Sequence, residues 1–251
     1  MKTVALVAPD GRIDYFCHPR IDSPSLFCSL LDPERGGEFR LWMDRDDVQH
    51  RQIYLPDTNI LLTRFLGDDG IGEVTDFMPL DGSGRVIRRG HAILGASRFR
   101  VRIDPRPEYG GAPARIEPVD GGVAVRWHRA ADGGEEEIRF LSTMALRVEN
   151  GVVVGEADLR ESETCAVVLC PGRPGAAPVS RAYAARAFRE TRDGWHRWVA
   201  QGRYPTYWRE LVVRSALTLK LLTSREHGSI AAAATFGLPE VIGGERNWDY
   251  R

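Results

Sequence analysis

Six Asp-Gly or Asn-Gly dipeptides, at 10–11, 69–70, 81–82, 120–121, 132–133 and 150–151, cut the first 151 residues into short segments. The second residue of such a pair takes positive φ at no steric cost, so each pair closes a hairpin or a tight turn. Between them the hydrophobic period is two. In Ser97 to Asp104, Phe99, Val101 and Ile103 alternate with Arg98, Arg100, Arg102 and Asp104, the pattern of a strand with one face in a core and one in water. Val123, Val125 and Trp127 repeat it, and 60–65, 73–78, 138–146 and 165–169 read as further strands. About ten to twelve antiparallel strands are expected, too many for one open sheet, so two packed sheets are predicted. The 26 Gly and 15 Pro residues agree with a turn-rich, β-rich chain holding few long helices.

After Pro171-Gly172-Arg173-Pro174-Gly175, a linker-like stretch, the period changes to that of a helix over 181–198 and again over 207–223. At 100° per residue, Trp208, Leu211, Val212, Ser215, Leu219 and Leu222 line one side of the second helix, and Val213, Leu217 and Leu221 line the other. One apolar face can pack on the sandwich. The other forgoes about 2 kcal/mol per large side chain unless more protein covers it, so a partner for that face is expected.

Lys and Arg number 34 against 35 Asp and Glu, with no run of basic residues to follow a phosphate backbone, which argues against nucleic-acid binding. No stretch approaches a membrane span or a signal-peptide core, and the chain reads as cytoplasmic. Cys17, Cys28, Cys165 and Cys170 lack CxxC spacing and are expected to be reduced, buried apolar residues. The six histidines are isolated, and Walker, GxGxxG, HExxH and GxSxG motifs are absent, so no metal site, nucleotide cradle or catalytic triad is predicted. Asp44, Asp46 and Asp47 and the run Glu135 to Glu137 lack the apolar flanks that would keep one carboxyl protonated, and are expected in solvated loops.

The segment from Leu238 to Arg251 differs in kind. After Gly243-Gly244 it brings Trp248 and Tyr250 beside Asn247, Asp249 and Arg251. Flat rings for pyranose C–H surfaces and fixed polar groups for hydroxyls are what a sugar site requires.

Four separated stretches carry a family resemblance. Asp10-Gly11-Arg12-Ile13-Asp14-Tyr15-Phe16-Cys17, continued by Pro19-Arg20-Ile21-Asp22-Ser23-Pro24-Ser25-Leu26-Phe27, resembles the N-terminal signature of bacterial glycoside hydrolase family 15, the glucoamylase and trehalase-like proteins. Tyr54-Leu55-Pro56-Asp57-Thr58-Asn59 with Val74-Thr75-Asp76-Phe77-Met78-Pro79 is similar to that family's next pair of blocks. Residues Val213 to Lys220 and Gly243 to Arg251 are similar to its linker-proximal helix and the loop that follows. Where the family often reads Ala-Ala-Pro-Thr-Thr-Ser-Leu-Pro-Glu, this chain has Ala232-Ala233-Ala234-Thr235-Phe236-Gly237-Leu238-Pro239-Glu240.

The resemblance implies a mainly β fold, a large antiparallel β-sandwich (super-sandwich) over 1–178, a helical linker over 179–204, and over 205–251 the first helix of an incomplete (α/α)6 catalytic barrel. It further implies inverting hydrolysis of an α-glucosidic bond by the intact protein, on an α-glucan or a trehalose-like sugar, with this fragment inactive. Trp248, Asp249 and Tyr250 are its implied substrate-binding residues, in the subsite before the scissile bond. The general acid and base are two Glu residues beyond this chain, so neither Glu240 nor Glu245 is cast in those roles and no catalytic residue is assigned. The hydrolysis needs no cofactor, although some trehalase-like members are held to depend on phosphate and magnesium. The missing barrel is the implied intramolecular partner. A second reading is a non-catalytic sandwich that binds carbohydrate or a separately encoded partner.

Overall fold

The computed structural model of the chain describes residues 2–172 and 179–235 together with Gly237, Leu238, Val241 and Gly244. Its strands, in chain order, are β1 (Ala5–Val7), β2 (Arg12–Cys17), β3 (Ser25–Phe27), β4 (Glu38–Met43), β5 (Gln49–Tyr54), β6 (Leu61–Gly67), β7 (Gly70–Phe77) and β8 (Val86–Leu94). They continue with β9 (Ser97–Asp104), β10 (Arg115–Val119), β11 (Gly122–His128), β12 (Glu135–Ser142), β13 (Leu146–Glu149), β14 (Val152–Leu159) and β15 (Thr164–Pro171). Two antiparallel sheets result. The seven-stranded one runs β1-β2-β4-β9-β14-β13 with β3 on β2, and the eight-stranded one runs β10-β11-β12-β15-β8-β7-β6-β5.

The alternation in β9 is realised as expected: Phe99, Val101 and Ile103 enter the core between the sheets, where they meet Phe39, Val74, Phe140 and Val167. Arg98, Arg100 and Arg102 point to solvent and pair with Asp158 (2.7 Å), Asp44 (3.1 Å) and Glu38 (3.1 Å). Half-exposed pairs of this kind contribute little stability each. What they do is keep this stretch of the seven-stranded sheet wet.

The turn dipeptides mostly behave as the sequence predicts. At Asn150-Gly151 both residues take positive φ (50° and 79°) and join Glu149 to Val152 as a two-residue hairpin loop. Asp69-Gly70 differs, because Gly70 is already the first residue of β7, paired with Gly67, and the turn is made by Asp68 and Asp69.

The eight-stranded sheet is covered on both faces. In β15, Cys165, Val167 and Leu169 enter the inter-sheet core, while Val168 and Cys170 face the other way against two helices, α1 (Arg181–Val199) and α2 (Arg209–Leu222). Ser180 caps α1 by accepting a hydrogen bond from the Tyr183 amide. Ala184, Ala187, Thr191, Trp195 and Val199 form its buried stripe, and Phe188 meets Phe77 edge-on at 5.9 Å. All four cysteines are free and buried. Neither helix is long and apolar enough to cross a membrane.

Two expectations need correction. Glu135 to Glu137 lie on β12 and not in a solvated loop; Glu137 pairs with Arg126 across on β11 and with Arg139 on its own strand, and Glu136 pairs with Arg129 in the turn after β11, so neighbouring arginines compensate the charge the strand carries. The second helix begins at Arg209 and not at 207. Trp208 precedes it with a left-handed backbone (φ 62°), its side chain makes no capping hydrogen bond, and its carbonyl accepts from the Val212 amide.

Candidate functional site

Trp248, Asp249 and Tyr250 lie outside the described residues, as do Glu240, Glu245, Asn247 and Arg251. What the structure describes is the root of their segment and the surfaces around it. After α2 the chain turns through Ser224–Ser229, and Thr223 and Ile230 form an isolated bridge. Ala231 bonds back to the Leu222 carbonyl, and a turn from Thr235 to Leu238 (2.9 Å) follows. Leu238 packs on a cluster of Tyr15, Cys17 and Cys28, with Leu6 beside it.

The loop from β5 to β6 grips both helices. Asp57 forms a two-pronged pair with Arg209 (3.1 and 3.0 Å), Asn59 donates to the Leu217 carbonyl (2.9 Å), and a ring nitrogen of His196 meets the Pro56 carbonyl (3.2 Å). Arg214 donates to the Thr58 carbonyl at 2.9 Å and to Asn59 Oδ1, and its guanidinium stacks 4.0 Å above the Tyr54 ring. Partial burial lowers its pKa. The block Tyr54 to Asn59, singled out by resemblance, thus serves to hold α2. In the companion block, Val74 and Phe77 are core residues and Asp76 pairs with the buried Arg88.

This grip leaves α2 two-faced. Val213 and Leu217 are 2% and 1% exposed against the sheet, whereas Trp208, Leu211 and Leu219 are 76%, 62% and 53% exposed. The helical period anticipates both faces.

A cavity of about 110 Å³ sits where β1 and the loop after β7 approach the helices, lined by Val4, Phe77, Leu80, Val86 and Trp195, with Lys2, Thr3, Asn59, Asp76 and Arg225 among its polar members. A wider cleft of about 760 Å³ adjoins it between the Pro19–Asp22 loop and residues 224–231. Beside this cleft five groups owe their shifts first to burial: Asp14, Tyr15, Cys17 and Cys28 are pushed up, and His18 is pushed down to about 4. Among the described residues, no three His, Cys, Asp or Glu side chains converge as metal ligands.

Residues 1–131 match the family model described as trehalase-like, N-terminal. The chain belongs to this trehalase-like N-terminal family. It is 32% identical over 253 residues to a trehalase of Thermoplasma acidophilum, covering 98% of this chain and 42% of that protein. A trehalase of Mycolicibacterium smegmatis is 30% identical, covering 100% of this chain and 41% of its own length. Trehalase 2 of Sulfolobus acidocaldarius is 28% identical, covering 96% and 40%. The chain therefore spans about two-fifths of the length of the curated relatives it matches. The expected resemblance and the mainly β two-sheet fold with C-terminal helices are both borne out. The matched region stops between β11 and β12, but the trehalase-like sandwich does not: β12 and β15 fill the gap between β11 and β8, and β14 flanks β9.

Proposed function

We propose that this chain is the N-terminal region of a glycoside hydrolase that cleaves an α-glucosidic bond, with trehalose as the first substrate to test. The observation that carries the reading is that relatives named trehalase align along nearly the whole chain while extending well beyond it. The sandwich over 1–178, the linker over 179–204 and the segment 205–251 are then one sandwich, one connector and the opening of an (α/α)6 barrel. The exposed side of α2 supports this division: Leu211 and Leu219 are placed to meet further helices.

Within that reading Trp248, Asp249 and Tyr250 bind the glucosyl unit before the scissile bond. The chemistry falls to two Glu residues in the remaining three-fifths of the relatives' length. One protonates the leaving oxygen while the other activates a water on the opposite face, the carboxyls standing roughly 6.5–9.5 Å apart to admit it. The sandwich and the grip on α2 orient the barrel's first helix and leave the bond breaking to that pair.

The test is turnover by the full-length protein on trehalose and on malto-oligosaccharides, with the first-formed anomer followed by proton NMR. Equal early yields of α- and β-glucose from trehalose are expected for inversion. Only α-glucose in the first turnovers would overturn the inverting mechanism, and no glucose from any of these sugars would overturn the enzyme reading.

A further inference from the structure

We propose that β13, the outer strand of the seven-stranded sheet, is a self-complementary edge on which a second copy of this chain pairs antiparallel about Val148, joining the seven-stranded sheets of the two copies into one.

The outer strands of the two sheets are not alike. An open edge offers unpaired N–H and C=O groups to any other chain, and sandwiches blunt it with a bulge, a proline, charges or a cover. β1 is irregular between Leu6 and Val7, and the Gln52 side chain takes the Val7 and Ala8 carbonyls at 3.3 and 2.9 Å. β10 carries Pro118, which has no N–H to donate. β5 opens with Gln49, His50, Arg51 and Gln52 and is polar on both faces. β13 has neither proline nor bulge: Leu146 to Glu149 pair with Gly155 to Val152 without a shift of register, and Arg147, Val148 and Glu149 are exposed.

The hairpin fixes which backbone groups face outward. Its two-residue loop is closed by Glu149 and Val152, the hydrogen-bonded pair of such a turn. Bonded and non-bonded positions alternate along an antiparallel ladder, so Glu149 and Arg147 bond to β14 while Val148 points both its N–H and its C=O away from the sheet. A two-fold axis at Val148 sets it opposite the partner's Val148, exchanging both bonds, and sets Arg147 opposite the partner's Glu149 and Glu149 opposite the partner's Arg147.

The side chains suit this register. Arg147 and Glu149 pair with each other along one strand and stay 57% and 53% exposed. Across the axis they occupy non-bonded positions, where side chains approach most closely, and the four charges alternate in sign around a square. On the other face Val148 lies opposite the core residue Val153, yet is 39% exposed, and Leu146 packs at the margin of the core. The partner's Val148 extends that apolar layer past the edge. An unrelated strand satisfies the backbone groups alone, whereas a second copy satisfies backbone, charges and apolar face together.

Four residues from each copy make a small interface, for which a micromolar Kd is expected. Sedimentation equilibrium of the full-length protein over about 1 to 100 µM tests it. Val148→Pro removes the outward N–H, spares the bonds to β14 and is expected to abolish the dimer. Arg147→Glu and Glu149→Arg are each expected to raise Kd about tenfold, because each sets like charges opposite one another. The double variant, in which opposite charges face each other again, is expected to return to within about threefold of the parent. Both charge reversals lie at exposed positions, so a folding failure of Val148→Pro does not shield the proposal. A monomer at every concentration, a Val148→Pro dimer as tight as the parent, or losses that add in the double charge variant would each overturn it.

Discussion

Arg88 and Asp76 face each other across β8 and β7 as a buried ion pair, Nε to Oδ1 at 2.7 Å and Nη2 to Oδ2 at 3.2 Å. The same guanidinium crosses the sandwich to donate to the carbonyls of Gly11 (2.6 Å) and Phe39. One side chain therefore satisfies a carboxylate in one sheet, a backbone acceptor on β4 of the other and a second in the turn that leads into β2. Removing either partner alone leaves an uncompensated buried charge. Arg88→Met is expected to cost about 3–5 kcal/mol in urea unfolding, and the double variant Arg88→Met, Asp76→Leu to recover a substantial part of that loss. Strictly additive losses would show that the pair is uncoupled.

The two sides of α2 make opposite predictions. Leu217→Ala empties a site packed on the sheet and is expected to cost about 2–5 kcal/mol. Leu211→Lys and Leu219→Lys, on the open side, are expected to change the stability of the 251-residue chain by less than about 0.5 kcal/mol and to lower its binding of apolar dyes. Thermal melts of the three variants decide the matter, and a Leu211→Lys loss comparable to that of Leu217→Ala would mean the outer face is already in use.

His18 sets an acid limit. Burial holds its folded pKa near 4 against an ordinary 6.5, with the Glu136 charge pulling it upward and Lys2 adding to the depression. The unfolded chain therefore takes up the proton first. Stability falls as the pH drops below about 6.5 and this contribution stops changing near 4, a loss on the order of 3 kcal/mol across the window. His18→Gln should flatten that part of a stability-against-pH curve; an unchanged slope would assign it to other groups.

The thiols are protected by burial, which pushes Cys165 up to about 12 and also raises Cys17, Cys28 and Cys170. Iodoacetamide at pH 8 should leave all four unmodified in the folded chain and alkylate all four in denaturant, read by intact mass. Rapid labelling of any one under native conditions would place it in an open site.

Much of this architecture is legible in the residues, and the failures have physical causes. β9 is readable because one face is dry and the other wet, so its side chains alternate. β5 is not, since Gln49 to Tyr54 form an edge strand paired only with β6 and almost wholly exposed, where no alternation is demanded. The strand read at 138 begins three residues earlier, at Glu135, and that start is masked by Glu135 to Glu137, because the pairing of Glu137 with Arg126 exists only once β12 lies beside β11. The grip of Asn59 and Arg214 joins positions 155 apart and leaves no local trace. At the candidate site, composition points to the Trp248–Tyr250 segment, whereas the packing of Leu238 on Tyr15, Cys17 and Cys28 joins positions more than 200 residues apart and leaves no local trace.

The strand order also bears on how the molecule is made. A nascent chain that has emerged only as far as residue 131 possesses β8 and β9 but lacks β15 and β14, their hydrogen-bonding neighbours, and its β10–β11 hairpin has nothing to join. Both sheets then present open central edges, the surfaces most prone to pair with another chain. The sandwich can close only when residues near 171 are released, and α1 emerges directly afterwards to shield the outer face of the newly completed sheet. Translation pauses ahead of that point prolong the exposed state, and an expression boundary drawn at residue 131 makes it permanent.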